Sequence, residues 1–215
     1  MKLLPNEIYV WRVFLPDVQE NQLDKLHAIL SEKEREKAAR FHRELDRKSS
    51  VVARGALRTL LASYTGVPAI ELEFSYSENG KPELSLPQEM PPISFNLSHS
   101  GEWVLLAFGQ GGRVGIDIEK IKSSVNLQAI SERYFTAEDA SSVINAANPK
   151  SLFYKLWTQK EAYVKACGST LFRELHKKID ATIWKIYNLK VDSRYAATLV
   201  SEFPASNITY QTFSC

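Results

Sequence analysis

Two acidic residues near the middle of the chain have a spacing that suits a shared cation. The segment Val114–Glu119 alternates strictly, which predicts a strand with Gly115, Asp117 and Glu119 on one face. The Cα atoms of Asp117 and Glu119 would lie roughly 6.5–7 Å apart, so both carboxylates could converge on a hard ion such as Mg²⁺. Gly115, which has no side chain, would let a ligand approach the strand. The same pattern fits the exposed polar face of an edge strand, so it leaves both interpretations open.

A third acid lies on a predicted helix later in the chain. Residues 152–167 carry an apolar stripe at helical spacing, and within them Glu161 and Lys165 are four residues apart on one face. The two side chains could form a surface ion pair worth about 0.3–0.5 kcal/mol. Alternatively, Glu161 is a metal ligand or a base and Lys165 contacts a phosphate. Spacing alone does not choose between these interpretations.

A third group of polar residues falls at a predicted hairpin. Segments 93–97 and 103–108 predict its strands, in which Asn96 points outward, and the turn covers Ser98 and His99. As hydrogen-bond donors these two residues would suit a phosphate, but polar turn residues also satisfy local backbone groups. No Gly-x-Ser-x-Gly motif is present, so the sequence gives weak support to hydrolase chemistry.

The elements that must position these residues predict an α+β fold. The glycine-rich stretch 109–112 is the expected boundary between two halves, 1–110 and 111–215, although no sequence repeat relates them. Ser31 and Glu34 form a capping-box signature at the start of one helix. The predicted helices are 22–30, 31–41, 46–63, 126–134, 137–147 and 150–167, and the further predicted strands are 8–15, 71–75, 181–187, 195–200 and 208–213.

Composition, net charge and glycine spacing argue against a nucleic-acid binder and against a glycine-rich nucleotide-binding loop. The 215 residues are 44% hydrophobic and 24% charged, which is typical of a globular chain that buries a core. A net charge of only +2 argues against a nucleic-acid binder, although segment 31–58 is locally basic and would suit phosphates, an acidic partner or a solvated helix. The glycines between 109 and 115 do not have the spacing of a nucleotide-binding loop.

The sequence also bears on location. Cys167 and Cys215 are the only cysteines, too few for a disulfide framework or a zinc site. The amino terminus does not have the pattern of a signal peptide, and no apolar run approaches the roughly 20 residues that span a bilayer. We therefore expect a cytoplasmic protein without a membrane segment.

Four short blocks, taken in order, resemble a known family. They are Gly-Lys-Pro at 80–82, Phe-Asn-Leu-Ser-His-Ser at 95–100, Val-Gly-Ile-Asp-Ile-Glu at 114–119 and Trp-Thr-Gln-Lys-Glu-Ala-Tyr-Val-Lys at 157–165. With the basic segment 35–41, the series resembles the 4′-phosphopantetheinyl transferase superfamily in its larger single-chain, Sfp-like form. The resemblance covers about residues 30–170. It implies a monomer of two similar α+β halves packed as a pseudo-dimer, with the site between them.

The resemblance also implies a reaction and a set of roles. A serine hydroxyl of an apo carrier protein attacks the β-phosphate of coenzyme A, phosphopantetheine is transferred, and adenosine 3′,5′-bisphosphate leaves. Neither nucleic acid nor a membrane is an implied partner. The implied ligands of Mg²⁺, or alternatively Mn²⁺, are Asp117, Glu119 and Glu161. Glu161 is the implied base, and the other implied catalytic residues are Lys165, Asp117 and His99. The implied coenzyme A contacts are Lys37, Arg47, Ser50, Lys81, Asn96, Ser98, His99 and Lys165.

One loop departs from the family pattern. Residues 168–171 read Gly-Ser-Thr-Leu, whereas the family often has a second glycine there. That loop lies near the expected carrier contact, so the departure concerns the choice of partner rather than the chemistry.

Three other functions use some of the same residue types. Another Mg²⁺-dependent phosphodiester enzyme, such as a nuclease, would also cluster carboxylates but predicts a more basic surface. A non-catalytic module that binds coenzyme A or a carrier would be expected to have lost an acidic ligand, and all three acids are present. A glycosidase uses paired carboxylates but would not require Lys165 or the Ser98–His99 pair.

Overall fold

The chain folds into helices and strands close to most of those that its periodicity predicts. The predicted strands 71–75 and 181–187 begin only at Phe74 and Lys185, and the short strand Pro82–Leu84 was not predicted. The computed structural model describes residues 1–85, 90–169 and 177–214, so that Thr170, Leu171 and Cys215 lie outside the described residues. The strands are β1 Glu7–Phe14, β2 Phe74–Tyr76, β3 Pro82–Leu84, β4 Ser94–Ser100, β5 Trp103–Gly109, β6 Val114–Lys120, β7 Lys185–Leu189, β8 Tyr195–Ser201 and β9 Asn207–Thr212. The α-helices are α1 Glu20–Ala28, α2 Glu32–Ala39, α3 Glu44–Thr65, α4 Leu127–Tyr134, α5 Ala137–Ile144 and α6 Pro149–Cys167.

The two halves of the chain repeat one topology. In each half a first strand, β1 or β6, is followed by helices and then by an antiparallel hairpin, β4–β5 or β7–β8. The second hairpin strand pairs antiparallel with the first strand, giving the orders β4–β5–β1 and β7–β8–β6. β9 then returns to pair parallel with β1. The α+β fold class is confirmed, and the repeat is visible in the topology although the sequence does not show it.

Side chains arrange these elements in four layers. One cluster of buried apolar residues lies between α3 and the first sheet, and a second lies between the two sheets. A smaller cluster, including Ala162, Ala166 and Val200, lies between α6 and the second sheet. The order is therefore helix, sheet, sheet, helix. No helix in the described ranges has the length and apolar content needed to cross a membrane.

A buried ion pair fixes α2 on α3. Ser31 and Glu34 form the predicted capping box, in which the Ser31 amide donates to Glu34 Oε2 at 2.9 Å. The same Glu34 oxygen accepts from Arg58 Nε at 2.7 Å, and both side chains are nearly inaccessible to solvent. Arg58 also donates to the carbonyls of Ala69 and Leu72. The basic surface of α2 is thereby held in a defined place relative to α3.

A ladder of polar side chains joins the two halves. β6 pairs with β8 along one edge, and alternate N–H groups along its other edge point toward β4. Four side chains of β4 accept these hydrogen bonds, with donor–acceptor distances of 3.1, 2.9, 3.3 and 3.0 Å. The pairs, acceptor first, are Ser94 with Val114, Asn96 with Ile116, Ser98 with Ile118, and Ser100 with Lys120.

This polar ladder corrects two expectations. The prediction that Asn96 points outward is wrong, because the second half covers it and leaves it 8% exposed. The prediction that Ser98 and His99 lie in a turn is also wrong. Contacts with β6 keep β4 extended through Ser100, and the tight turn starts at Gly101, whose φ of 56° lies in the left-handed region.

Gly115 lets α6 lie directly on β6. A Cβ atom at this position would lie 2.0 Å from the carbonyl oxygen of Ala162 and 2.5 Å from the amide nitrogen of Ala166. The space that the sequence assigns to an approaching ligand is therefore filled by the backbone of α6. That expectation is wrong, and the glycine serves helix–strand packing instead.

We expect Gly115→Ala to lower the free energy of unfolding by about 1–3 kcal/mol, because the new methyl group must displace the α6 backbone. Gly112→Ala is the matched control, since its new Cβ would meet only side chains, Phe203 at 3.1 Å and Glu202 at 3.3 Å. Denaturant titration of both variants measures the effect. Equal stabilities for the two variants would contradict the packing role of Gly115.

Candidate active site

The close contact between α6 and β6 brings Lys165 to Asp117. The ammonium of Lys165 donates to Asp117 Oδ1 at 2.7 Å and to Ser98 Oγ at 2.9 Å. The Ser98 hydroxyl donates to the same Asp117 oxygen at 2.9 Å. The three residues come from α6, β6 and β4, so the site is built across both halves. The ion pair of Lys165 is with Asp117 on the strand, and not with Glu161 on its own helix.

Glu119 lies two residues further along β6 and is half-buried. Its Oε2 atom accepts a hydrogen bond from Ser100 Oγ at 2.9 Å. Burial is the main cause that raises the pKa of Glu119, and the charge of Asp117 raises it further, whereas the Ser100 hydrogen bond lowers it. The carboxylate is thus held by β4 in the same way as that of Asp117.

Glu161 shares the electrostatic environment of these two acids. Burial is the main cause that raises its pKa, from 4.5 to about 7, and the charges of Asp117 and Glu119 add to the effect. Lys165 acts in the opposite direction. Because Coulomb interactions weaken with distance, this coupling indicates that Glu161 lies within electrostatic range of the other two carboxylates.

The acids fit a hard divalent cation in donor type. Asp117 Oδ2 is buried, and no group among the described residues donates a hydrogen bond to it. Carboxylate oxygens are the ligands that Mg²⁺ prefers in proteins. Within residues 1–85, 90–169 and 177–214, however, no three acidic, histidine or cysteine side chains form a complete metal-binding group. The metal-ligand roles of Asp117, Glu119 and Glu161 therefore stay a prediction.

His99 of β4 interacts electrostatically with charged residues of α6, α2 and α3. Partial burial lowers the pKa of its imidazole, Lys165 and Lys37 lower it further, and Asp46 raises it. Because the side chain keeps access to solvent, these effects are partly screened. Lys37 of α2 therefore lies close enough to His99 of β4 for its charge to affect the imidazole.

Arg47 and Ser50 lie beside that neighbourhood, in the first turns of α3. The guanidinium of Arg47 donates to the carbonyl of Phe41 at 3.2 Å and is exposed. Ser50 follows three residues later and is half-buried. No contact ties either residue to the acids in the described part of the chain, so their roles stay predictions.

Lys81 is held at the carboxyl end of α6. Its ammonium donates to the carbonyl of Ala166 at 3.0 Å, and the neighbouring Asn79 donates to the carbonyl of Gly168 at 2.8 Å. Burial lowers the pKa of Lys81, and the charge of Arg113 lowers it further. Together these contacts fix the β2–β3 hairpin against the second half.

A cavity of about 640 Å³ opens beside Lys81. Phe95, Cys167, Arg113 and Glu202 are among the residues that line it. It begins past Lys165 on α6, and the three acids are absent from its described lining. The cavity therefore adjoins the acids along α6 without containing them.

Comparison with known proteins identifies the family. The profile described as "4′-phosphopantetheinyl transferase, N-terminal" matches residues 17–110, and that of the 4′-phosphopantetheinyl transferase superfamily matches residues 113–210. The chain is 31% identical to the 4′-phosphopantetheinyl transferase HetI of a Nostoc species, over 96% of this chain and 87% of HetI. It is 30% identical to the 4′-phosphopantetheinyl transferase Sfp of Bacillus subtilis, over 72% of this chain and 67% of Sfp.

The chain belongs to the 4′-phosphopantetheinyl transferase superfamily. Another relative, the phosphopantetheinyl transferase of a Thraustochytrium species, is 34% identical over 67% of this chain, which spans only 54% of that protein. Membership confirms the family and the enzyme class that the four sequence blocks predict.

The sequence assigned no role to two residues that the structure places at or beside the site. Ser100 contacts Glu119, and its position at the end of the Phe-Asn-Leu-Ser-His-Ser block, in the same alternation as Ser98, was the signal that could have found it. Arg113 lies over the ring of Trp184 and pairs with Glu202 at 2.6 Å. Neither partner of Arg113 is near it in sequence, so its place in the cavity wall had no local signal.

The raised pKa of Glu161 predicts a pH-dependent stability. In metal-free buffer the folded state holds the proton of Glu161 until about pH 7, whereas the unfolded chain loses it near 4.5. Wild-type stability therefore falls relative to Glu161→Gln as the pH rises between these values. We expect Glu161→Gln to be more stable by about 1–3 kcal/mol at pH 8, after allowing for partial exposure, and equal below pH 4.5.

Glu202→Gln is the control of opposite sign. A hydrogen bond from Arg113 is the main cause that lowers the pKa of Glu202 to about 2. Replacing the Glu202 carboxylate should lower the free energy of unfolding above pH 4.5, and this difference from wild type should shrink as the pH falls toward 2. Denaturant titrations across the pH range test both signs. A Glu161→Gln variant that is less stable than wild type at pH 8 would show that folding does not raise the pKa of Glu161.

Proposed function

We propose that this chain transfers 4′-phosphopantetheine from coenzyme A to a serine of an apo acyl or peptidyl carrier protein, and releases adenosine 3′,5′-bisphosphate. Family membership supports the activity, and one observation supports its placement. Glu161 of α6 is electrostatically coupled to Asp117 and Glu119 of β6, and Lys165 of α6 is bonded to Asp117. We further propose that the enzyme acts in the cytoplasm as a monomer.

The three acids would hold Mg²⁺, or alternatively Mn²⁺. A divalent cation bound there supplies Lewis acidity and a template for the diphosphate. The carboxylate oxygens, including the unsatisfied Asp117 Oδ2, have the donor type that such a cation requires. This observation supports the metal assignment without depending on the family.

Lys165 would bind a phosphate of coenzyme A. Phosphoryl transfer depends mainly on positioning and on stabilising charge, and an ammonium supplies both for a departing phosphate oxygen. In the structure the ammonium contacts Asp117 and Ser98, so it is already next to the acids. A phosphate that takes Lys165 would leave the Ser98 O–H donating to Asp117 and would free only the lone pair of Ser98 Oγ that accepts from Lys165, since the other accepts from Ile118.

Glu161 would act as the general base. The pKa of about 7 that burial gives Glu161 belongs to the metal-free site. A cation held by the acids would lower it, so that the carboxylate would be ionised and able to accept a proton at neutral pH. The carrier serine oxygen forms a bond to the β-phosphorus, and the anhydride bond from that phosphorus breaks. The serine proton passes to Glu161, and the electrons of the broken bond leave with adenosine 3′,5′-bisphosphate.

The remaining family positions would hold the rest of coenzyme A. Lys81 borders the cavity beside α6 and would contact the adenine side. His99 and Lys37, which are electrostatically coupled, would bind phosphate, and we assign Arg47 and Ser50 to the 3′-phosphate with them. Asn96 uses its amide oxygen on the Ile116 backbone, so its part in binding is to hold β4 and β6 together.

We expect Asp117→Asn and Glu161→Gln each to reduce transfer by about 100-fold or more, because each change removes charge from the reacting centre. Mass spectrometry of an apo carrier incubated with coenzyme A, Mg²⁺ and enzyme measures the product. One added phosphopantetheine per carrier is the expected mass change.

Glu138→Gln is the control, since this exposed carboxylate of α5 pairs with Lys178 away from the site. Near-wild-type transfer by both active-site variants would refute the assigned roles. An unchanged mass for several unrelated carriers with wild-type enzyme would refute the activity itself.

A further inference from the structure

Two rungs of the polar ladder do more than close the edge of β6. The hydroxyls of Ser98 and Ser100 each accept a backbone amide and donate to a carboxylate at 2.9 Å, Asp117 Oδ1 for the first and Glu119 Oε2 for the second. Ser98 is among the residues that the family resemblance assigns to coenzyme A. Ser100 has no role in the site described so far.

The geometry gives the Ser100 hydroxyl one orientation. A serine oxygen has a single O–H donor and two acceptor lone pairs. The amide of Lys120 uses one lone pair, with a donor–acceptor distance of 3.0 Å, and the O–H is directed to Glu119. The contact fixes one oxygen of a carboxylate that would otherwise rotate about its terminal bonds.

We propose that Ser100 is a positioning residue that orients the Glu119 carboxylate for cation binding. This role rests on the proposed function, in which Glu119 is a metal ligand. Groups that hydrogen-bond a ligating carboxylate reduce the freedom it must lose on binding, and their removal typically lowers metal affinity or activity about 10–100-fold. Ser100 itself touches neither the substrate nor the cation.

Ser94 provides a matched control at the other end of the ladder. Its hydroxyl accepts the amide of Val114 at 3.1 Å, so it performs the same backbone task as Ser100. The two serines are six positions apart, which corresponds to about 20 Å along an extended strand. Ser94 thus lies beside the glycine end of β6 and away from the acids.

The test measures Mn²⁺ affinity directly. Binding of Mn²⁺ to the intact enzyme at saturating coenzyme A is followed by electron paramagnetic resonance of the free ion. We expect Ser100→Ala to raise the dissociation constant about 10-fold, while Ser94→Ala stays near the wild-type value. Ser100→Thr, which keeps the hydroxyl, should restore affinity. Both alanine variants should lose thermal stability, Ser100→Ala by more, because Ser94→Ala loses one rung whereas Ser100→Ala also loses the bond to Glu119.

The transfer reaction supplies a second readout. In Ser100→Ala the Mg²⁺ concentration for half-maximal rate should rise, while the KM for the carrier protein stays unchanged. Wild-type Mn²⁺ affinity in Ser100→Ala, or an equal loss in Ser94→Ala, would overturn the positioning role.

The variant Glu119→Gln distinguishes a failure of the Ser100 positioning role from a failure of the metal-ligand role of Glu119. If Glu119→Gln loses Mn²⁺ binding and Ser100→Ala keeps it, only the role of Ser100 fails. If Glu119→Gln binds Mn²⁺ as tightly as wild type, the metal assignment fails and the role of Ser100 fails with it.

Discussion

The structure depends on how the open edge of β6 is satisfied. A buried N–H group without a partner costs about 1–3 kcal/mol, so a strand between two halves cannot leave a row of them unpaired. β4 contacts this edge of β6 through side chains, while its backbone pairs with β5 in the first sheet. It presents alternate side chains, from Ser94 to Ser100, as acceptors for alternate amides of β6. Because the strand period is two, a shift of one residue would turn these side chains away, and the contact therefore fixes the register between the halves.

That register matters because the site takes residues from both halves. Ser98 and Ser100 hold Asp117 and Glu119 from one side, while α6 presents Glu161 and Lys165 from the other. The approach of α6 depends on small residues, since Gly115 leaves room for the helix backbone at Ala162 and Ala166. The same packing buries the carboxylates, which is the main cause that raises the pKa values of Glu119 and Glu161, and repulsion from Asp117 raises them further. Lys165 offsets part of this cost by pairing with Asp117.

Local pattern was sufficient to predict most elements and the acidic residues. Strict alternation located β6, the capping box located the start of α2, and the apolar stripe located α6. It was insufficient wherever a side chain serves a distant element. Asn96 stands at an alternate position that is typical of a solvent-facing residue. Its actual partner is an edge amide of β6, twenty residues away, which the sequence of β4 does not reveal. Gly115 was interpreted as room for a ligand because the sequence of one strand does not reveal that the α6 backbone packs against it.

The charge of the site constrains how the proposed substrate can enter. Asp117, Glu119 and Glu161, when ionised, outweigh the one ammonium of Lys165, and a diphosphate would add further negative charge to a half-buried region. Interactions between charges are strong there because water is partly excluded. The carboxylates would hold a divalent cation that offsets this repulsion, and Lys165 could then bind phosphate instead of Asp117 without leaving either anion unpaired. On electrostatic grounds, the proposed site would therefore bind cation and diphosphate cooperatively, with Lys165 contacting phosphate in place of Asp117.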